Sequence, residues 1–317
     1  MEKRRVGKSE LMIAPIVLGG NVLGWTANET ASFKILDAFI DGGFNAIDTA
    51  DTYSRFVPGN KGGESETIIG KWLKQGGGRR ERVLIFTKVG HEMGPGKSGL
   101  SRKYIVAEVE ESLKRLQIDC IDLYQSHRDD AATPVLETME TYADLIRQGK
   151  VRAIGASNFT AARLKESLDV SRAHGLPRYE CLQPRFNLYD RSDFEGELEQ
   201  LCRRETIGVI PYYGLASGFL TGKYRSPADF SKSPRGSRMS TYLNPRGKRI
   251  LAALDAIAAT HDVSLAAVAL AWLIARPSVT APIASATNVE QVSHFCASAA
   301  LRLTSDEMSR LDAAGEQ

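Results

Sequence analysis

The feature that most restricts what this chain can fold into is an alternation. Short apolar runs and longer segments of helical period follow one another eight times along 317 residues. The apolar runs fall at 16–19, 44–47, 82–87, 121–125, 151–156, near 180–184, 209–212 and 279–283. Runs of this length, bounded by glycine or by a polar break, read as buried strands. Between them, Thr30 is placed to cap a helix running to about Asp41, and 64–74 brings Ile68, Ile69, Trp72 and Leu73 to one side. From Ser101, the residues Ile105, Val109, Leu113 and Leu116 recur at about one helical turn. Thr133-Pro134 signals a helix with a threonine cap and proline at its first position, burying Leu136, Met139, Ala143 and Ile146. Further helices are expected near 160–174, 194–205, 246–261 and 264–275, with others at the C-terminus. Strict alternation calls for parallel strands, and eight pairs favour closure. The expected fold is α/β: a single (β/α)8 TIM barrel over 1–317. An N-terminal β-hairpin would turn at Gly7-Lys8-Ser9, and extra loops would stand at the C-terminal mouth. A doubly wound open sheet is the competing architecture, weakened because no G-x-G-x-x-G follows the first strand.

Charge and composition exclude several functions. A net charge of +3 gives no reason to expect nucleic acid or an acidic membrane as partner. Cys120, Cys181, Cys202 and Cys296 are widely spaced without C-x-x-C, so they read as reduced and mostly buried. The five histidines never adopt a ligand spacing, so no metal is expected. The charged N-terminus lacks the apolar stretch of a secretory signal, and the run at 265–275 is short of the ~20 residues of a membrane span. These features fit a cytoplasmic enzyme.

Three strand ends carry the chemistry. The run 44–47 stops on Asp48, and Asp51 and Tyr53 follow at once. The run 82–87 ends in Lys88, and 121–125 leads into His127. The C-terminal ends of parallel strands are where barrels keep their active sites. A surface lysine and a loop histidine are the plain alternatives for each residue alone. Together the four supply an acid, a cation, a carboxylate to hold the cation, and an imidazole.

In this order I-D-T-A-D-T-Y, T-K-V and Q-S-H resemble the catalytic tetrad motifs of the aldo-keto reductase superfamily. The likeness continues through 155–159 (G-A-S-N-F), 182–187 (L-Q-P-R-F-N) and 211–224 (P-Y-Y-G-L-A-S-G-F-L-T-G-K-Y). The resemblance implies an oxidoreductase with a nicotinamide cofactor extended across the barrel mouth. It interconverts aldehydes or ketones and alcohols, with Asp48, Tyr53, Lys88 and His127 catalytic. By the same carry-over, Ser157, Asn158 and Gln183 hold the carboxamide and Tyr212 stacks on the ring. Leu215, Ser217, Leu220 and Lys223 lie along the pyrophosphate, and Ser285, Thr287, Asn288 and Gln291 hold the adenosine end. Tyr53 is the expected general acid, its pKa lowered by the Lys88 ammonium, with Asp48 neutralising Lys88 and His127 orienting the carbonyl. The superfamily also contains ion-channel β subunits, so a cofactor-binding regulatory or scaffold subunit is the alternative. A barrel isomerase or lyase without nicotinamide is a third.

The chain departs from the family pattern mainly around the substrate. An extra loop at 54–61 carries Phe56, which with Trp25 is expected to wall the pocket. The short polar tail after Leu311 leaves that pocket comparatively open. The stretch 223–249 holds eight lysines and arginines against one acid, Asp229. It is either a solvated loop or a lid over cofactor phosphates. No basic residue lies within 283–291, where relatives hold the adenosine 2′-phosphate. NADPH is therefore expected as cofactor with NADH an appreciable competitor. Neither the substrate nor the oligomeric state is legible.

Overall fold

The computed structural model describes residues 1–316. A two-stranded antiparallel hairpin, β1 (Arg4–Arg5) and β2 (Met12–Ile13), precedes the sheet, as expected from the glycine turn. The sheet itself contains β3 (Val17–Gly19), β4 (Ala46–Asp48), β5 (Leu84–Val89), β6 (Ile121–Ser126), β7 (Val151–Ser157), β8 (Tyr179–Gln183), β9 (Gly208–Val209) and β10 (Ile283–Ala284). These eight are parallel, and β10 pairs with β3. The remaining seam is also bonded: Thr280 N donates to Val209 O at 2.8 Å and Ile283 N to Pro211 O at 2.9 Å. The sheet therefore closes into a (β/α)8 barrel, and the open-sheet alternative fails at that seam.

The helices are α1 (Glu29–Asp41), α2 (Glu64–Lys74), α3 (Arg79–Arg82), α4 (Arg102–Leu116), α5 (Val135–Arg147), α6 (Ala161–His174), α7 (Glu197–Glu205), α8 (Pro245–His261), α9 (Leu265–Ala275), α10 (Val289–Ala300) and α11 (Ser305–Gly315). Most expected apolar faces are buried. Ile105, Val109, Leu113 and Leu116 of α4 are all in the core, and burial of such a side chain stabilises by about 1.5–3 kcal/mol.

Four expectations are corrected. The cap of α1 is Asn28, whose side chain accepts from Ala31 N at 3.0 Å, so Thr30 lies inside the helix. Pro134, not Thr133, is the cap of α5, because the Thr133 hydroxyl is bonded to Asp130 at 2.7 Å. The buried face of α5 consists of Val135, Met139, Tyr142 and Leu145, leaving Leu136, Ala143 and Ile146 half-buried. Apolar residues form two adjacent stripes there, and the Tyr142 hydroxyl finds Ser126 at 2.8 Å, which turns the tyrosine stripe inward. All four cysteines are free, but only Cys181 and Cys202 are buried.

No single helix among the described residues is long and apolar enough to cross a membrane. Helices α8 and α9 together have the length and composition, but they meet at 97°. Every residue from Ala266 to Ile274 is buried in the fold.

Candidate active site

Strand β4 runs apolar as far as Ile47 and ends on Asp48, whose side chain is 1% exposed. The neighbouring strand β5 carries Lys88, fully buried beside it. An ammonium has three donors, and each has an acceptor: Asp48 Oδ2 at 2.6 Å, Thr49 O at 2.8 Å and the Tyr53 hydroxyl at 2.8 Å. The second carboxylate oxygen of Asp48 accepts from Gln125 at 3.1 Å and from Gln183 at 2.9 Å. The buried charge is thus paired and hydrogen-bonded, the condition under which burial is tolerated.

Tyr53 accepts from Lys88, while the only acceptor for its own proton among the described residues is Asp48 Oδ2 at a long 3.4 Å. That proton is available to a group in the cavity. Burial and then the Asp48 charge hold the phenol well above its usual range. The expected lowering by Lys88 is therefore outweighed, since burial disfavours the charged phenolate and the ammonium is already neutralised by Asp48. Burial likewise pulls Lys88 below the ordinary lysine range. His127 lies edge-on to the Tyr53 ring, centroids 6.0 Å apart. Burial, with Lys88 nearby, drives its pKa well below 6.5 and makes it a neutral imidazole. His91 packs edge-on against it at 4.2 Å.

These groups open onto a cavity of about 860 Å³ at the C-terminal mouth of the barrel. Asp48, Tyr53, His127, Trp25, Phe56, Ser157, Asn158, Gln183, Tyr212, Leu215, Ser217, Lys223, Ser285, Thr287 and Gln291 all line it. Lys88 stands behind Tyr53 and outside the lining. Leu220 is fully buried away from the cavity, and Asn288 caps α10 by accepting from Gln291 N at 3.0 Å. Several lining groups already have partners. Gln183 is committed to Asp48, and the Asn158 amide donates to His127 O at 2.9 Å while accepting from the Tyr212 hydroxyl at 2.7 Å. Among the described residues none beyond Phe295 lines the cavity, so the helices that end at 315 leave the mouth open.

The segment 213–218 bends around the cavity in an unusual conformation. Tyr213, Ala216 and Ser217 have φ of 60°, 47° and 57°, and Gly218 has 98°. A bulky residue at positive φ is strained, and curled left-handed segments form anion-binding concavities. The stretch 223–249 folds back over the same mouth, with Lys223, Lys232, Arg235 and Arg238 lining it, so it is a cover and not a free loop. The residues fit an extended anionic nicotinamide cofactor: amide partners at Ser157, Asn158 and Gln183, a flat ring at Tyr212, and cations at Lys223 and Lys232.

The Aldo/keto reductase family model matches residues 15–316. The chain belongs to the aldo/keto reductase family. It is 35% identical to the uncharacterized oxidoreductase YrpG of Bacillus subtilis, over 92% of this chain and 89% of that one. It is 31% identical to Protein tas of Escherichia coli, covering 99% and 97%, and 33% identical to a probable voltage-gated potassium channel subunit beta of Oryza sativa, covering 92% and 89%. Membership makes it an oxidoreductase of a family that uses NAD(P)H.

Sequence reasoning missed His91 and Tyr213 as lining residues of this aldo/keto reductase, and counted Arg235 and Arg238 only as members of the basic stretch 223–249. Tyr213 sat inside a quoted motif, between Tyr212 and Leu215, which the resemblance had already assigned to the cofactor, and that placement was the available signal. The other three come from irregular segments whose course has no periodic signature.

Proposed function

We propose that this chain reduces aldehydes or ketones to alcohols reversibly with NADPH, NADH serving as a weaker alternative, and that Tyr53 is the proton donor. The observation that carries the reading is the Tyr53 hydroxyl. It accepts at 2.8 Å from a buried lysine that is itself paired with Asp48 at 2.6 Å, and the ring faces the cavity. When bound, a nicotinamide cofactor would supply the hydride that the carbonyl carbon takes up. The charge that develops on the carbonyl oxygen needs a proton, and a phenol kept protonated by burial provides one. Lys88 stabilises the phenolate left behind, and Asp48 fixes Lys88 in place. His127, neutral, donates a hydrogen bond that orients the carbonyl oxygen. In the oxidation direction Tyr53 accepts the proton as phenolate, a form that burial and the Asp48 charge make scarce near neutral pH.

Under this reading 1–317 act as one catalytic domain of a cytoplasmic enzyme. Ser157, Asn158, Gln183 and Tyr212 would hold the nicotinamide end, while Leu215, Ser217 and Lys223 would follow the pyrophosphate, with Leu220 buried behind them. Ser285, Thr287, Asn288 and Gln291 would meet the adenosine end, and Trp25 and Phe56, ring centroids 4.9 Å apart, would wall the substrate. A regulatory role has its own support in the likeness to the channel subunit. Turnover of 4-nitrobenzaldehyde with NADPH separates the two. Steady reduction at rates ordinary for enzymes, ~1 s⁻¹ or more, supports the reductase; cofactor binding without turnover favours the regulatory subunit.

A further inference from the structure

Arg235 stands apart from the other cations of the cover. Its guanidinium lies 5.0 Å from the centre of the Trp25 ring, and Trp25 packs edge-on against Phe56. Phe56 follows Tyr53 by three residues, so this is the catalytic end of the cavity. Lys232 is bonded to Lys223 O at 3.1 Å and to Asp229 at 2.7 Å, and Lys223 lies 5.0 Å from the ring of Tyr224, whose hydroxyl meets Ser233, two residues before Arg235. Arg238 reaches the Tyr213 hydroxyl at 3.3 Å, and Tyr213 packs against Tyr212.

A guanidinium stacked on an aromatic face still has in-plane donors that need acceptors. One terminal nitrogen of Arg235 is buried with no partner among the described residues, and Arg235 forms no ion pair with any of them. The one acid lining the cavity, Asp48, is already shared by Lys88, Gln125 and Gln183. The position of Arg235 is fixed by the backbone. At the next residue, Gly236, a side chain would collide with the Phe230 carbonyl, and Asp229 closes a capping box with Ser226 in the preceding turn.

We propose that Arg235, with Arg238 beside it, binds a carboxylate carried by the carbonyl substrate, so that the preferred substrates are aldehydes or ketones bearing an acid group. A planar carboxylate matches the fork of a guanidinium. The aromatic wall of Trp25 and Phe56 takes the apolar body between acid and carbonyl, and leaves the carbonyl to Tyr53 and His127. The inference rests on the carbonyl-reductase reading.

The test compares kcat/KM for 4-carboxybenzaldehyde with that for its methyl ester, in wild type and in Arg235→Met. Wild type favours the acid, and Arg235→Met lowers the ratio of the two roughly 10- to 100-fold. Arg235→Lys restores part of it. The dissociation constant for NADPH, followed by cofactor fluorescence, is measured on the same proteins. An unchanged ratio overturns the proposal. So does an equal loss on both substrates accompanied by weaker NADPH binding, which assigns the guanidinium to the cofactor. Failure of wild type to reduce either aldehyde, or the nitro analogue, instead overturns the carbonyl-reductase reading beneath it.

Discussion

Lys88 has three donors and three acceptors, all inside the barrel, and Asp48 has no other cation beside it. Replacing Lys88 with Met would leave a buried carboxylate unpaired. A loss of about 3–5 kcal/mol in unfolding free energy is expected, measured by urea titration. A loss under ~1 kcal/mol would mean that water reaches Asp48. The double variant Asp48→Asn/Lys88→Met should recover part of the loss, because the charge itself is gone. His127 gives a pH signature. Its folded pKa lies well below 6.5, so below pH 6.5 the unfolded chain takes up a proton that the folded chain refuses. Above that pH both states are neutral and the residue contributes no slope. As pH falls below about 6.5, wild type should lose stability through this group with a slope that rises toward about 1.4 kcal/mol per pH unit, and His127→Gln should decline less steeply. Parallel curves would show that His127 titrates normally. The clustering of Asp48, Tyr53, Lys88 and His127 was legible because Asp48, Lys88 and His127 each interrupt or end a run that sequence pattern marks as a strand. Arg235 was not, because its place over the mouth depends on the Phe230–Gly236 contact, and no spacing encodes that.

Among the elements, helix α10 bears on cofactor choice. Its N-terminal turn carries no lysine or arginine, and the Thr287 amide is already bonded to the Gln291 side chain at 2.9 Å. A 2′-phosphate would meet neutral donors and a helix N-terminus, without a guanidinium. The ratio of kcat/KM for NADPH over NADH, with one aldehyde, should therefore stay below about a thousandfold, some 4 kcal/mol. A larger ratio would show that a cation of the 223–249 cover reaches the phosphate. Helix existence was readable from period alone, as in α2 and α4. Helix facing was less so: α5 carries two apolar stripes, and the choice between them was made by the Tyr142–Ser126 bond across to β6. Capping failed for a related reason. Asn28 and Thr30 are both competent caps, and the chain's path out of 22–27 selects the first.

At the scale of the whole molecule, the eightfold alternation of strands and helices made a closed barrel readable, but not the bonds that close it. The seam joins β9 and β10, two residues each, and is held by bonds from Thr280 and Ile283 that pattern cannot foresee. Closure brings the ends of β4, β5 and β6 together with the loop of Tyr53, so that one buried ion pair serves one phenol. The proposed proton transfer stands on that phenol. Its most direct test is NADPH oxidation with 4-nitrobenzaldehyde by wild type and Tyr53→Phe, alongside NADPH affinity by fluorescence titration. The prediction is a fall in kcat of at least ~10²-fold, the range for loss of a general acid, with the dissociation constant for NADPH nearly unchanged. A Tyr53→Phe protein keeping more than about a tenth of wild-type turnover would contradict it.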